Sequence, residues 1–178
     1  MRSRVENLEC ALLGLLAKGP LHGYELRKRM IALVGPFRAL SFSVLYPQLR
    51  RMLNEGFIKE TTVESRSKRP RIVYAITTSG IDRFTSLAES VSSEAWDDEG
   101  FEIRFAFFEP TPSKSRLRVL EGRLQRLQEK ADMLRQEVER SSVGIDKYLR
   151  EWRIHSLESA EREIKWLQDL ITNERKSK

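Results

Sequence analysis

The apolar pattern of the sequence predicts a mainly α-helical chain made of two differently built parts. In the first part, three stretches with apolar residues at helical spacing precede two short stretches rich in β-branched residues, and a further helical stretch follows. In the second part, leucines recur at alternating intervals of three and four through a long polar stretch, which is the pattern of a coiled coil. We therefore expect two domains, residues 1–95 and 96–178.

Helix-stopping residues bound the first two predicted helices. The first helix, around Leu8–Leu16, ends at Gly19-Pro20, because proline cannot continue a helix and glycine can close one. Within this helix, Gly14 would let another element approach closely. The second helix begins near His22 and ends before Gly35-Pro36.

A third helix and a β-hairpin complete the first part. The helix runs from about Ser43 to Asn54, with Pro47 in its first turn, where the missing N–H is tolerated. The two predicted strands, Phe57–Glu64 and Arg71–Thr77, flank a polar tip. Three helices, a two-stranded hairpin (the wing) and a linking helix are the order of a winged helix-turn-helix. In that architecture the helix before the hairpin, the recognition helix, enters the major groove of DNA.

The positive charge of the chain is concentrated in the first part. Residues 1–95 hold 15 Lys/Arg against 9 Asp/Glu, whereas residues 96–178 hold 17 of each, so the formal net charge of +6 lies entirely in the first part. A localised basic zone is expected of a surface that binds phosphates. Charge alone is equally consistent with an ordinary solvated face.

The outward face of the third helix and the hairpin tip carry the side chains that a DNA interface needs. Hydroxyl, amide and guanidinium groups read base edges and bind phosphates, and a basic tip can enter a narrow minor groove. The predicted DNA-binding residues are Ser41, Ser43, Tyr46, Gln48, Arg50, Arg51, Arg66, Lys68, Arg69 and Arg71. Tyr24, on an otherwise apolar helix, is predicted to be a core residue instead.

The heptad repeat of the second part predicts a dimer interface. An apolar residue at every a and d position over three heptads indicates a coiled-coil seam, and two DNA-reading domains on two half-sites gain affinity through effective concentration. The predicted dimerisation residues are Leu117, Leu120, Leu124, Leu127, Leu134, Val138 and Trp166. The alternative is a compact hairpin within one chain, formed with the last helix after a break near residues 141–156.

Aromatic residues cluster where the two parts meet. A short amphipathic helix is predicted over Asp97–Glu109. A hypothesis is that Trp96, Phe101, Phe105 and Phe108 line a pocket for a small-molecule effector. Such a stripe is more often plain packing surface, which is the favoured alternative.

Other functional classes have little support in the sequence. Two histidines and one cysteine are too few and too scattered for a metal site, so no metal and no cofactor are expected. Cys10 is interpreted as a small buried hydrophobe rather than a redox sensor. Neither a GxSxG turn nor a phosphate-binding glycine loop occurs, so an enzyme is the least favoured class, with no catalytic residues.

The sequence predicts a cytoplasmic protein without a membrane partner. No apolar run approaches the roughly 18 residues of a membrane span. The single cysteine cannot form an internal disulfide, which fits a reducing compartment.

Several spaced motifs resemble the PadR family of transcriptional regulators. These motifs are LLGLL at 12–16, GPLHGYEL at 19–26, LYPQLRRM at 45–52, EGFI at 55–58, RPR at 69–71 and TTSG at 77–80. The resemblance covers about residues 7–85, and the C-terminal half is similar to the helical extension of longer members.

The resemblance implies a dimeric regulator, here predicted to be a repressor, whose winged domains bind an inverted repeat and whose C-terminal helices cross with those of the partner. It places Tyr46 on the recognition-helix tyrosine and residues 66–71 on the wing. Some members respond to phenolic acids or hydrophobic drugs, so release by such an effector is a hypothesis. The alternative function is a winged-helix and coiled-coil module that binds another protein and no DNA.

Overall fold

The computed structural model describes residues 2–34, 42–63, 71–90, 93–140 and 146–176. The fold is mainly α-helical, with a small antiparallel sheet, as the sequence predicts. In chain order the elements are α1 (Arg2–Ala17), β1 (Leu21–His22), α2 (Gly23–Val34), α3 (Phe42–Asn54), β2 (Ile58–Val63), β3 (Arg71–Ile76), α4 (Thr78–Glu89), a 3₁₀ turn (Ser93–Trp96), α5 (Asp98–Phe105), α6 (Ser113–Arg140) and α7 (Lys147–Lys176). They form two compact units, residues 1–111 and 112–178.

The sheet contains one strand that the sequence did not predict. Strands β2 and β3 pair antiparallel, from Ile58 opposite Ile76 onwards, and form the predicted hairpin. The two-residue strand β1 pairs with the other edge of β3, with Leu21 opposite Tyr74. The sheet is therefore three-stranded rather than two-stranded. Two residues are too short to show an alternating pattern, so β1 could not be recognised from periodicity.

Helix α1 forms the centre of the N-terminal unit. Its residues Cys10–Leu16 are buried without interruption, because α2, α3, α4 and β3 all pack around it. The fully buried side chains of this core are chiefly Leu12, Leu13, Leu16, Leu26, Met30, Leu45, Leu49 and Met52. Each such side chain contributes on the order of 1.5–3 kcal/mol through burial, so the core fixes the position of α3.

Helix α5 and the residues after it belong to the same core. Ile103 and Phe107 are buried in it, and the ring of Phe107 meets the ring of Phe84 edge-on at a centroid distance of 5.7 Å. A Cβ atom on Gly14 would lie 2.6 Å from Cε1 of Phe107, so this close approach requires a glycine, as the sequence suggested. The N-terminal unit therefore extends beyond residue 95, where the sequence composition placed the domain boundary.

The C-terminal unit is a hairpin of α6 and α7. Its buried contacts come from Leu120, Leu127 and Ala131 on α6 and from Ala160, Leu167 and Ile171 on α7. Ion pairs join early α6 to late α7 and late α6 to early α7, so the helices are antiparallel. These pairs include Arg116–Glu174, Glu121–Arg175, Arg123–Glu163, Arg135–Glu161 and Glu137–Arg153. Part of the predicted seam thus packs within the chain, as in the alternative interpretation.

Both long helices carry too many charges to be membrane spans. Among the described residues, no helix combines the length and the apolarity that crossing a lipid bilayer requires.

We predict that Gly14→Ala destabilises the protein by about 2 kcal/mol, because the new methyl group would overlap the ring of Phe107. Thermal or urea unfolding would measure the loss. Adding Phe107→Leu to Gly14→Ala should recover part of the stability, since the smaller side chain leaves room for the methyl group. A Gly14→Ala variant as stable as the wild type would refute the contact.

Candidate nucleic-acid interface

Helix α3 has one face in the core and one face in solvent. Leu45, Leu49 and Met52, at helical spacing, are buried. Tyr46 and Arg50 lie on the opposite side and are exposed. Ser43 is exposed at the beginning of the helix. Pro47 lies in the second turn and not in the first turn that the sequence predicted, because the helix begins at Phe42. The apolar face of α3 therefore determines which of its polar residues can reach a ligand.

Tyr46 lies over the beginning of α2. A Cβ atom on Gly23 would be 3.3 Å from the Tyr46 hydroxyl oxygen, so the glycine lets the ring pack closely there. The ring nevertheless remains 41% exposed. Tyr74 of β3 faces the same region, and burial raises its pKa, with further effects from Glu60, Tyr46 and Arg50. Helix α3, the beginning of α2 and the central strand thus meet around Tyr46.

Tyr24 lies beside this region and not in the core. Its side chain is 69% exposed, so the prediction of a core role was wrong. The buried positions of α2 are Leu26 and Met30, and residue 24 falls outside their helical register. That offset was visible in the sequence and is the signal that could have placed Tyr24 on the surface.

Gln48 faces the protein interior, so its placement on the outward face was also wrong. Only 7% of the residue is exposed, and its Nε2 donates a hydrogen bond to Oε2 of Glu9 at 3.4 Å. Position 48 follows Leu45 by three residues and precedes Met52 by four, which puts it on the buried face of α3. An amide is tolerated there because α1 supplies a carboxylate acceptor.

Arg51 is held by two carboxylates of the protein. Its Nη2 lies 3.2 Å from Oε2 of Glu9 and its Nε lies 3.0 Å from Oε1 of Glu55. The hydrogen bond to Glu55 is the largest cause that raises the pKa of Arg51. The Glu9 carboxylate is fully buried, and Arg83 of α4 binds its other oxygen at 2.6 Å. Glu9, which the sequence analysis did not single out, therefore connects α1 to α3 and α4.

The remaining predicted DNA-binding residues are mostly beyond what the structure describes. Ser41, Arg66, Lys68 and Arg69 lie outside the described residues. Arg71 begins β3, but only its backbone is described. The wing contacts therefore stay predictions.

Three of the predicted effector residues, Phe101, Phe105 and Phe108, form an aromatic row along α5 and the residues that follow it. The rings of Phe101 and Phe105 are 5.7 Å apart between centroids, and those of Phe105 and Phe108 are 5.0 Å apart. Phe101 is buried, Phe105 is exposed, and Phe108 and Trp96 are half-buried. The row therefore leaves aromatic surface accessible, while Phe107, which the sequence analysis omitted, takes the core position.

The predicted dimerisation residues divide into two groups. Leu120 and Leu127 are buried in the hairpin, whereas Leu117, Leu124, Leu134 and Val138 are half-buried. Trp166, on α7, is 42% exposed. Trp152, two heptads earlier on the same helix, is 66% exposed. Helix α7 therefore leaves large apolar side chains accessible.

Cys10 has the buried position that the sequence indicated. Burial raises the pKa of its thiol to about 11, although Arg104 and Arg83 oppose this effect. The thiol is therefore protonated at neutral pH, and a protonated buried thiol is a poor nucleophile.

Three helices around a leucine core, an antiparallel sheet with a hairpin after α3, and a polar outward face on α3 define a winged helix-turn-helix domain. Residues 12–86 of this chain match the family described as Transcriptional regulator PadR-like family. The Negative transcriptional regulator PadR of Bacillus subtilis (strain 168) is 37% identical over 73 residues, which are 41% of this chain and 40% of that protein. The chain thus matches less than half the length of this relative.

This chain is also similar to several solved structures. One is B. subtilis PadR in complex with operator DNA, which is 22% identical with a TM-score of 0.43, and the match covers 94% of this chain and 98% of that chain. The PadR-like transcriptional regulator BC1756 from Bacillus cereus is 22% identical with a TM-score of 0.43, covering 96% and 99% respectively. A transcriptional regulator from Clostridium thermocellum is 26% identical with a TM-score of 0.44, covering 47% and 81%.

We predict that Cys10 reacts with a thiol reagent at pH 8 at least about 100-fold more slowly in the native protein than in the urea-unfolded chain, because its raised pKa lowers the thiolate fraction by roughly that factor. The rate of absorbance change with Ellman's reagent measures it. Equal rates in the two states would contradict the burial of this side chain.

Proposed function

We propose that this protein is a sequence-specific DNA-binding transcriptional regulator whose helix α3 enters the major groove. The observation that carries the proposal is the two-sided character of α3, which buries Leu45 and Leu49 and exposes Tyr46 and Arg50. The surplus of positive charge in residues 1–95 supports the same function, since DNA binding depends on phosphate neutralisation. We infer a binding protein rather than an enzyme, and a cytoplasmic location.

The exposed groups suggest a division of roles at the interface. Arg50 would read a base edge, since a guanidinium can bind O6 and N7 of guanine with two hydrogen bonds. Tyr46 and Tyr24 would contact the sugar-phosphate backbone through their hydroxyl groups. The basic wing residues Arg66, Lys68 and Arg69 would bind phosphates or enter the minor groove.

We further propose that the protein acts as a homodimeric repressor on an inverted repeat. The name of the B. subtilis relative supports negative regulation. Because Leu120 and Leu127 already pack within the hairpin, the dimer contact would use apolar side chains that α7 leaves exposed, chiefly Trp152 and Trp166. This assignment shifts the interface from the predicted α6 seam towards α7.

Release by a small hydrophobic or phenolic effector remains part of the proposal. Phe105 and Phe108 form an accessible aromatic surface on which a flat apolar ligand could stack. The exposed ring of Phe105 and the half-buried ring of Phe108 support a flat apolar compound as the class of effector.

We predict that Arg50→Ala weakens binding to the DNA upstream of the protein's own gene by about 1–3 kcal/mol, because a base contact is lost. Gel-shift or fluorescence anisotropy titrations at fixed salt measure it. The control is Arg150→Ala, which removes the same charge from an exposed position on α7. If Arg50→Ala and a neutralised wing both leave the affinity unchanged, the protein is better explained as a protein-interaction module.

We predict that Trp152→Glu combined with Trp166→Glu raises the dimer dissociation constant at least about tenfold, because a carboxylate buried against apolar surface costs more than about 1.4 kcal/mol. Sedimentation velocity measures the change. Met133→Glu, at an exposed apolar position on α6, is the matched control. A dimer that survives both tryptophan changes would place the interface elsewhere.

A further inference from the structure

Two neighbouring arginines on α3 have different surroundings. Arg50 is exposed, and within the described ranges no carboxylate forms an ion pair with it. Arg51 is bonded through Nη2 to Glu9 at 3.2 Å and through Nε to Glu55 at 3.0 Å. One guanidinium is therefore available to a ligand, and the other already has two carboxylate partners.

The Glu9 carboxylate makes this arrangement hard to undo. It is fully buried, and its oxygens are bound by Arg83, Arg51 and Gln48 at 2.6, 3.2 and 3.4 Å. A buried carboxylate that loses a donor pays a desolvation cost that an exposed phosphate contact does not recover. The charges of Glu9 and Glu55 balance those of Arg51 and Arg83, so the cluster as a whole is neutral.

On the basis of the proposed DNA-binding function, we propose that Arg51 does not bind DNA, because Glu9 and Glu55 retain its guanidinium. Glu9 is then a positioning residue that limits the number of cations α3 offers to phosphates. Fewer phosphate contacts lower the sequence-independent share of the affinity. Keeping Arg51 away from phosphates therefore leaves a larger share of the affinity to the sequence-specific contact of Arg50.

The salt dependence of DNA binding tests this inference. Each phosphate contact adds about 0.9 to the magnitude of the slope of log K against log salt concentration. In the wild-type background, Arg51→Gln, which keeps an amide donor for Glu9, should leave the slope unchanged. In a Glu9→Gln, Glu55→Gln background the slope should be steeper by about 0.9, and adding Arg51→Gln should restore the wild-type value.

The control is the Glu151→Gln, Glu158→Gln variant, which removes the same charge from exposed positions on α7. It should strengthen binding only slightly and should leave the slope near that of the wild type. If it steepens the slope as much as the Glu9 and Glu55 changes do, net charge explains the effect and the inference is overturned.

A second measurement uses the wild-type protein and so does not depend on whether the Glu9→Gln, Glu55→Gln variant folds. The Nε–H signal of Arg51 in the NMR spectrum of the wild-type protein should not change when DNA is added, whereas that of Arg50 should shift. A shift of the Arg51 signal, or a loss of about 0.9 in slope on Arg51→Gln alone, overturns the inference while leaving DNA binding intact. A wild-type chain that binds no DNA overturns both.

Discussion

The rotation of α3 about its own axis depends on one buried carboxylate, that of Glu9. Glu9 lies on the central helix of the N-terminal unit and takes hydrogen bonds from α3 and α4 at the same time. The leucine contacts around it are strong but not directional, so they would tolerate small rotations of α3. Hydrogen bonds require aligned donors and acceptors. A buried carboxylate that lost these bonds could not replace them with water, so misalignment would lower the stability of the protein. The orientation of the outward face follows from both constraints.

Helix α1, which carries Glu9, also makes polar contacts to α5. Asn7 is buried, and its Oδ1 accepts a hydrogen bond from Nη1 of Arg104 on α5 at 3.2 Å. Arg104 also donates to the carbonyl oxygen of Gly100, one turn earlier. Helix α1 therefore binds α5 through one side chain and α3 through another, two residues apart. A shift of α5 against α1 would therefore act on α1, the same helix that orients α3 through Glu9.

Apart from the two-residue strand β1, local patterns predicted the order of elements in the N-terminal unit, because helix stops and changes of period depend on near neighbours. They failed where residues distant in sequence decide the outcome. Gln48 has a polar side chain typical of an outer face, but it is buried because Glu9 accepts a hydrogen bond from it. The heptads of α6 predicted an apolar contact correctly but could not identify its partner, since a second copy and a helix of the same chain demand the same period. The ion pair between Arg51 and Glu9 could not be predicted for the same reason, because the two residues are far apart in sequence.

The burial of Cys10 has a practical consequence for solution work on this chain. It is the single cysteine of the sequence, and its thiol is both enclosed and protonated at neutral pH. A cysteine introduced at an exposed site such as Lys59 or Met133 would then be the one accessible attachment point for a dye or spin label. Distances and motions could be followed spectroscopically without first removing the native residue from the core.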